Sequence, residues 1–156
     1  IAAMSIDVEF REATEADLPV IIAMLADDQL GASREDASLP LAPAYLEAFS
    51  AMEADANQVL CVAVSEGQVV GTLQITYIPG LSFSGSWRGQ IESVRVASTM
   101  RGSGLGQQLM TWAVDQCRAR GCRMVQLTTN KTRKDAQRFY DQLGFVASHE
   151  GYKLNL

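Results

Sequence analysis

Val94-Arg95-Val96-Ala97-Ser98-Thr99-Met100-Arg101-Gly102-Ser103-Gly104-Leu105-Gly106 carries a β-branched strand end into a glycine-rich loop and directly on into a helix. Leu105, Leu109, Trp112, Ala113 and Gln116 recur at helical spacing, so the helix is expected to start inside the glycine run. Glycines let backbone approach a ligand closely, and the free amides of a helix N-terminus suit an anion such as a phosphate. Arg101 adds a fixed positive charge at the loop entrance. Glycine clusters also make ordinary turns, so the surroundings must decide. A Walker loop needs Lys and then Ser or Thr after its last glycine, whereas Gln107 and Gln108 follow Gly106. The dinucleotide fingerprint needs G-x-G-x-x-G after a first strand and an acid further on. From Gly102 the pattern is G-x-G-x-G, it comes late in the chain, and residues 120–123 offer no acid.

What remains, Arg-x-x-Gly-x-Gly from Arg101 to Gly106 between a strand and a helix, resembles the pyrophosphate-binding loop of the GCN5-related N-acetyltransferase (GNAT) superfamily. A second stretch supports the resemblance independently. Met124–Thr129 reads as a buried strand, and Asp135–Leu143 places Ala136, Phe139, Tyr140 and Leu143 on one helical face, stopped by Gly144. The string Ala136-Gln137-Arg138-Phe139-Tyr140-Asp141-Gln142-Leu143-Gly144-Phe145 is similar to the family's carboxy-terminal motif, an Ala-x-x-Phe-Tyr helix leading into Gly-Phe. The match is specific from about Ile91 to Phe145 and only architectural before that. It implies an α/β class, single-domain GNAT fold: a mixed, mostly antiparallel sheet with a splayed parallel fourth and fifth strand pair, flanked by helices.

Composition agrees. A chain of 156 residues is the size of one domain with a real core, and 47% apolar with 20% charged residues is the balance of a soluble globular protein. No stretch approaches the ~20 apolar residues of a membrane span, and no secretory signal is evident. Met4 fits a native start, which sets the domain at 4–156 and leaves Ile1–Ala3 outside it. Cys61, Cys117 and Cys122 are odd in number and lack metal-ligand spacing, so reduced thiols in a cytoplasmic protein are expected, packing rather than reacting. A net charge of −5 argues against nucleic acid as partner. Lys131, Arg133, Lys134 and Arg138 form either a solvated basic helix face or a patch steering coenzyme A phosphates.

Along the chain, Ile6–Ala13 reads as a first strand, and Thr14-Glu15-Ala16-Asp17 resembles a capping box opening a helix with Leu18, Ile21, Ile22 and Leu25 on one face. Asp27–Pro40 reads as a mobile connection, and Pro43 begins a second helix reaching about Ala54. Val59–Val64 and Val69–Tyr77 are strands joined by a Glu66-Gly67 hairpin, and Pro79–Ser86 is a loop before the strand Trp87–Val96. In that strand Ile91 and Val94 are three apart while Val94 and Val96 are two apart. If all three face inward, a β-bulge near Glu92 or Ser93 is required.

The resemblance implies direct transfer of acetyl from acetyl-coenzyme A to an amine, with both substrates bound together and no metal. It assigns the main-chain groups of Val94 and Val96 to the pantetheine arm, with the Val94 amide polarising the thioester carbonyl. Arg101, Gly102, Ser103, Gly104, Leu105 and Gly106 take the pyrophosphate, with Asn130 and Arg133 as further cofactor contacts. Arg133 stands where the motif often has Asn, which weakens the usual side-chain contact and leaves a phosphate contact open. Tyr140 is the expected general acid toward sulfur, the alternative being a packing tyrosine; Glu92 is the expected base acting through water, the alternative being an ordinary strand carboxylate. His149, the only histidine, is expected to be a surface residue.

Tyr45, Phe83 and Trp87 are candidate walls of an amine pocket, and Glu35, Asp36 or Glu92 candidate partners of a cation. Residues 133–140 also look similar to bacterial small-molecule N-acetyltransferases, including aminoalkylphosphonate ones, over too short a stretch to name a substrate. A small-molecule amine is the expected acceptor, with neither nucleic acid nor membrane as partner and a homodimer possible for the family. Two alternatives stay open: an acyl-coenzyme A-binding regulatory module without turnover, and an acetyltransferase acting on a protein N-terminus or lysine.

Overall fold

The computed structural model describes residues 6–156; the reading of Ile1–Ala3 and Met4 lies outside them. The described residues form two compact units, the first ending at Gln126 and the second spanning Leu127–Leu156. The first is a five-stranded sheet in the order β1 (Glu9–Glu12), β2 (Gln58–Ser65), β3 (Gln68–Pro79), β4 (Trp87–Val96), β5 (Cys122–Gln126). The first four strands are antiparallel neighbours and β5 lies parallel to β4. Mixed α/β architecture with a parallel last pair is the expected fold class. The hairpin between β2 and β3 turns on Glu66 and Gly67, both at positive φ (50° and 74°), the geometry a two-residue primed turn demands.

Two helices, α1 (Leu18–Ala26) and α2 (Pro43–Glu53), bury Leu18, Ile21, Ile22 and Phe49 around Val62 of β2. Helix α3 (Leu105–Ala119) buries Leu105, Leu109, Ala113 and Cys117 at i, i+4 spacing, together with Met110 next to Leu109. Its approach to the sheet is close because the strands carry glycine beneath it. A Cβ on Gly71 would lie 3.5 Å from Leu109, and one on Gly89 would collide with the Cys117 sulfur. Gln108 of α3 clasps the backbone of Ile6 at both ends of its amide (3.2 and 3.0 Å), and Trp112 stacks on Phe10 at 5.5 Å.

Several boundaries move. The first strand is shorter than the alternation of Ile6–Ala13 implies, and the last covers Cys122–Gln126 rather than Met124–Thr129. The segment after Asp27, expected as a mobile connection, is locally hydrogen-bonded. Asp28 accepts the Gly31 amide, a 3-10 turn spans Gly31–Ser33, and Tyr45 hydroxyl accepts the Asp36 amide at 2.9 Å and donates to Glu35 at 2.9 Å.

The second unit contains α4 (Lys134–Gln142). Gly144 follows it at φ +92, its amide bonding Asp141 carbonyl (3.1 Å) while Phe145 amide bonds Tyr140 carbonyl (3.1 Å). That is a Schellman stop, and the Tyr140–Phe145 ring contact at 5.9 Å is its accompanying apolar clasp. The Gly-Phe pair therefore has a structural reason in this chain.

Thr14 and Asp17 meet as the capping sequence requires: Asp17 carboxylate accepts the Thr14 amide at 2.8 Å and both Arg11 guanidinium nitrogens at 2.7 and 3.0 Å. These bonds, Arg11 foremost, hold its pKa down to about 2 despite burial. A lowered folded-state value stabilises above the ordinary Asp pKa of about 4 and is lost as pH falls toward 2. Asp17→Asn is expected to cost about 1.5–3 kcal/mol near neutrality. In urea unfolding, the gap between variant and parent should close between about pH 4 and pH 2.

Candidate active site

The site of the first unit starts with a defect in β4. Its pairing with β3 runs to Glu92 opposite Gln74 and resumes at Arg95 opposite Thr72. Ser93 and Val94 therefore stand against Leu73 alone, a β-bulge, and Ser93 has φ +56. This is where the broken alternation placed it. On its other side β4 pairs with β5 only from Trp87 to Gln90, so Ile91–Val96 have no β5 partner and the two strands part. Val94 and Val96 sit half-buried on this freed edge; Val94 carbonyl accepts from the Arg95 guanidinium at 2.9 Å. Glu92 is exposed beside the bulge.

Beyond β4, a 3-10 turn at Ser98–Met100 feeds the glycine loop. Gly102 and Gly104 have φ +77 and +89, and a Cβ on either would meet no atom within 4 Å. Backbone conformation demands glycine there, and the ground in front of both is open. Gly104 is the N-cap of α3, and the first amide reaching back along the helix is Gln108, 3.2 Å from Gly104 carbonyl. The amides of Leu105, Gly106 and Gln107 precede that bond, at the positive end of the helix dipole. Ser103 hydroxyl donates to Met100 carbonyl and accepts the Leu105 amide at 3.4 Å, while the Leu105 side chain is fully buried and pins the turn. Open ground, amides and the positive end of a helix are together the features that suit an anion. Arg101 stands at the mouth of this cradle, giving Nη2 to the Asp27 carbonyl (3.2 Å) and carboxylate (3.4 Å). Arg95 pairs with neighbouring Asp28 at 3.3 Å.

The second unit holds the remaining candidates. Asn130 Oδ1 accepts the Thr132 amide (2.9 Å) and hydroxyl (2.7 Å), so this oxygen shapes the turn before α4, whose N-cap is Arg133. Tyr140 is half-buried, its ring between Phe139 (5.2 Å) and Phe145. Of the basic residues nearby, Lys131 pairs with Glu150 at 3.3 Å and Arg138 with Asp135, which favours a solvated helix face over a free patch. His149 is exposed and shares a hydrogen with Ser148 at 2.6 Å.

A cavity of about 90 Å³ opens between the helices and the sheet at the bulge, lined by Ile22, Leu25, Tyr45, Phe49, Gln74 and Ser93. Tyr45 thus lines this cavity, whereas Phe83 and Trp87 do not and are 64% and 36% exposed. A larger, more open cavity of about 450 Å³ lies by Glu12, Phe49, Gln58, Tyr77 and Arg120, without a residue of the bulge or of the glycine loop.

Sequence reading missed the polar side chains that share the face of Glu92. Opposed residues of neighbouring strands lie on one face, and the register opposes Gln58 to Thr76, Gln74 to Glu92, Thr76 to Gln90 and Gln90 to Gln126. They are bonded to one another: Gln58 Oε1 accepts from Gln74 (2.9 Å) and Thr76 (3.0 Å), and Gln90 Oε1 accepts from Gln126 (2.7 Å). The signal was the alternation of Thr72, Gln74 and Thr76 with Leu73, Ile75 and Tyr77.

Among the described residues no three His, Cys, Asp or Glu side chains gather to hold a metal ion, and no helix is long and apolar enough to cross a membrane. Burial pushes the Cys61 thiol up to about 12 and the Cys117 thiol up to about 11, and raises Cys122 as well.

Comparison with known proteins converges on one family. Residues 22–145 match the acetyltransferase (GNAT) family. The chain is 32% identical over 141 residues to the aminoalkylphosphonate N-acetyltransferase of Salmonella typhimurium, covering 90% of this chain and 86% of that one. It is 29% identical to the glucosamine 6-phosphate N-acetyltransferase of Trypanosoma brucei brucei, over 97% of each. A crystal structure of a transcriptional regulator from Bacillus halodurans superposes with a TM-score of 0.93 at 50% identity, covering 96% of this chain and all of that one.

The thiols give a direct test, since a thiol that stays protonated at neutral pH is a poor nucleophile. Native protein treated with iodoacetamide at pH 7.5 is expected to leave Cys61 and Cys117 unmodified, with any slow labelling confined to half-buried Cys122. All three should label in denaturant, as read by peptide mass.

Proposed function

The chain belongs to the acetyltransferase (GNAT) family, and from that premise we propose that it moves an acetyl group from acetyl-coenzyme A to a small primary amine within a ternary complex. The bulge at Ser93, where β4 parts from β5 directly ahead of the glycine cradle, is the observation that carries this reading. A freed strand edge offers main-chain groups to an extended amide-bearing arm, and the helix N-terminus beyond it offers amides and dipole to a diphosphate. In this reading Val94 and Val96 hold the arm. Gly102, Ser103, Gly104, Leu105 and Gly106 take the diphosphate, assisted by Arg101, with Asn130 and Arg133 as further contacts.

Acetyl-coenzyme A supplies an activated carbonyl that gathers negative charge as the amine adds, and the Val94 amide is placed in our reading to stabilise it. Glu92 takes the proton of the acceptor ammonium through water, and Tyr140 returns a proton to sulfur as the carbon–sulfur bond breaks. The raised thiols argue against a cysteine as acyl carrier. The acceptors named in the two curated relatives, an aminoalkylphosphonate and glucosamine 6-phosphate, are small amines that also carry a phosphorus oxyanion. A second reading, acyl-coenzyme A binding in the service of regulation, is favoured by the Bacillus halodurans relative described as a transcriptional regulator. Thiol release from acetyl-coenzyme A across a panel of small amines, polyamines and peptides separates the two. Turnover with intersecting double-reciprocal lines supports acetyl transfer, and tight coenzyme binding with no turnover on any amine supports the regulator.

Gly104 isolates the cradle. Asn tolerates the left-handed backbone better than other side chains, so Gly104→Asn adds bulk to the open ground with limited strain. Calorimetry is expected to show at least a tenfold loss of coenzyme A affinity in a variant that melts within a few degrees of the parent. Unchanged affinity would remove the glycine loop from the site.

Tyr140→Phe keeps the ring clasp of Phe139 and Phe145 and deletes only the hydroxyl. If the phenol acts as acid, kcat is expected to fall about a hundredfold or more with coenzyme affinity unchanged. Parental kcat with chemistry limiting would return Tyr140 to packing alone.

A further inference from the structure

Along β4, Arg88, Gln90 and Glu92 alternate onto the same face of the sheet, a cation, an amide and a carboxylate in sequence toward the bulge. Gln90 has its carbonyl oxygen engaged by Gln126, which leaves its two N–H donors for other partners. On the neighbouring strand Gln74 gives an N–H to Gln58 and so has its own carbonyl oxygen to offer beside Glu92. The face thus has a fixed polarity: hydrogen-bond acceptors at the bulge, donors in the middle, and a guanidinium at the far end.

Arg88 is the unexplained member. It is half-buried, and among the described residues no carboxylate lies within ion-pair distance of it, although most other arginines of the first unit have one or stack on a ring. Its Nη1 stands 3.6 Å from where a Cβ on Gly80 would sit, beside the turn that joins β3 to β4. That is the end of β4 opposite the glycine loop, so Arg88 is poorly sited for a diphosphate held by residues 101–106. Four strand steps of about 3.3 Å put its Cα roughly 13 Å from that of Glu92, a gap that two long side chains and a small molecule can close.

We propose that the acceptor is a small amine carrying an oxyanion at its far end, with Arg88 as the specificity-determining contact for that oxyanion. This rests on the acetyltransferase reading above. The amine must lie at Glu92 and the bulge, where the acyl group is delivered, so the remainder of the acceptor extends over Gln90 toward Arg88. A guanidinium presents a planar fork that matches a carboxylate, phosphate or phosphonate by two parallel hydrogen bonds, which an ammonium on the same strand would not. Hydroxyls or amides in the middle of the acceptor find Gln90 donors and the Gln74 and Gln126 carbonyls.

The test compares matched primary amines of equal length ending in phosphonate, carboxylate or hydroxyl, by kcat/KM in parent, Arg88→Gln and Arg88→Lys. The parent is expected to prefer one or both oxyanions over the alcohol by about tenfold to a hundredfold, the value of a charge-assisted bond. Arg88→Gln should lose most of that preference through the acceptor KM, and Arg88→Lys should regain part of it. Melting temperature and calorimetric coenzyme A affinity of both variants, close to the parent's, place the effect on the acceptor. Whichever oxyanion is preferred identifies the source. A parent that acetylates the alcohol as well as the oxyanions, or an Arg88→Gln variant that keeps the preference, overturns the proposal while the acetyltransferase reading stands. Failure of the parent on every amine tried, with coenzyme bound, overturns that reading and this one together.

Discussion

In β4, Ser93 at φ +56 sets two residues against one of β3, and the ladder between those two strands is interrupted there. A left-handed residue other than glycine costs about 1–2 kcal/mol, so the conformation persists only where flanking structure over-determines it. Here that structure is the β3–β4 pairing on both sides, from Trp87 to Glu92 and again from Arg95 to Val96. On the other side of β4 the pairing with β5 stops at Gln90 opposite Gln126, so the residues from Ile91 through the bulge to Val96 have no β5 partner. Beyond the bulge β4 runs only to Val96, and the turn that feeds the glycine loop begins at Ser98.

The sheet tolerates this defect because the opposite face is densely packed. Leu73, Ile75, Ile91, Leu105 and Leu109 are essentially inaccessible, and the glycines at 71 and 89 let α3 lie close. Cys117 fills the hollow under Gly89, which explains a buried thiol with no chemistry to perform. One face therefore supplies rigidity, while the other packs Val62 against α1 and α2 and carries the half-buried Gln58, Gln74, Thr76 and Gln90. Sites on rigid strands hold their groups more firmly than sites on loops, and the bonds among Gln58, Gln74 and Thr76 restrict their rotamers further.

Much of this was legible in the residues themselves. The limits of β4, the onset of α3 after Gly104, the Glu66-Gly67 turn and the Asp17 cap follow from local chemistry: a period of two, a glycine at positive φ, an acid three residues after Thr14. The bulge was legible as a fault in that period. The polar face around Glu92 was not, because its members come from four strands, and only register tells which glutamines meet. Nor was the ordering of the segment after Asp27, where Tyr45 and Asp28 bond to residues that polar composition alone marks as loop. The Ala-x-x-Phe-Tyr…Gly-Phe string is legible as a helix stopped by Gly144, and the Schellman stop and ring clasp extend that account to Phe145 and to the ring of Tyr140.

The two arginines that reach the end of α1 illustrate how burial sorts equal charges into unequal roles. Arg95 and Asp28 are 17% and 25% exposed in their side chains and lie 3.3 Å apart. Separating a pair so far out of water leaves two poorly solvated charges, which is costly whatever the pair itself contributes. Arg101 and Asp27 are 58% and 55% exposed and 3.4 Å apart, a contact of the kind that contributes about 0–1 kcal/mol. Arg101 can therefore exchange Asp27 for a phosphate at little cost, and a phosphate offers it a more complementary partner than a single distant carboxylate oxygen. Arg95 has no such freedom: it keeps the end of α1 against β4 while its neighbour on the loop is at liberty to turn toward a ligand.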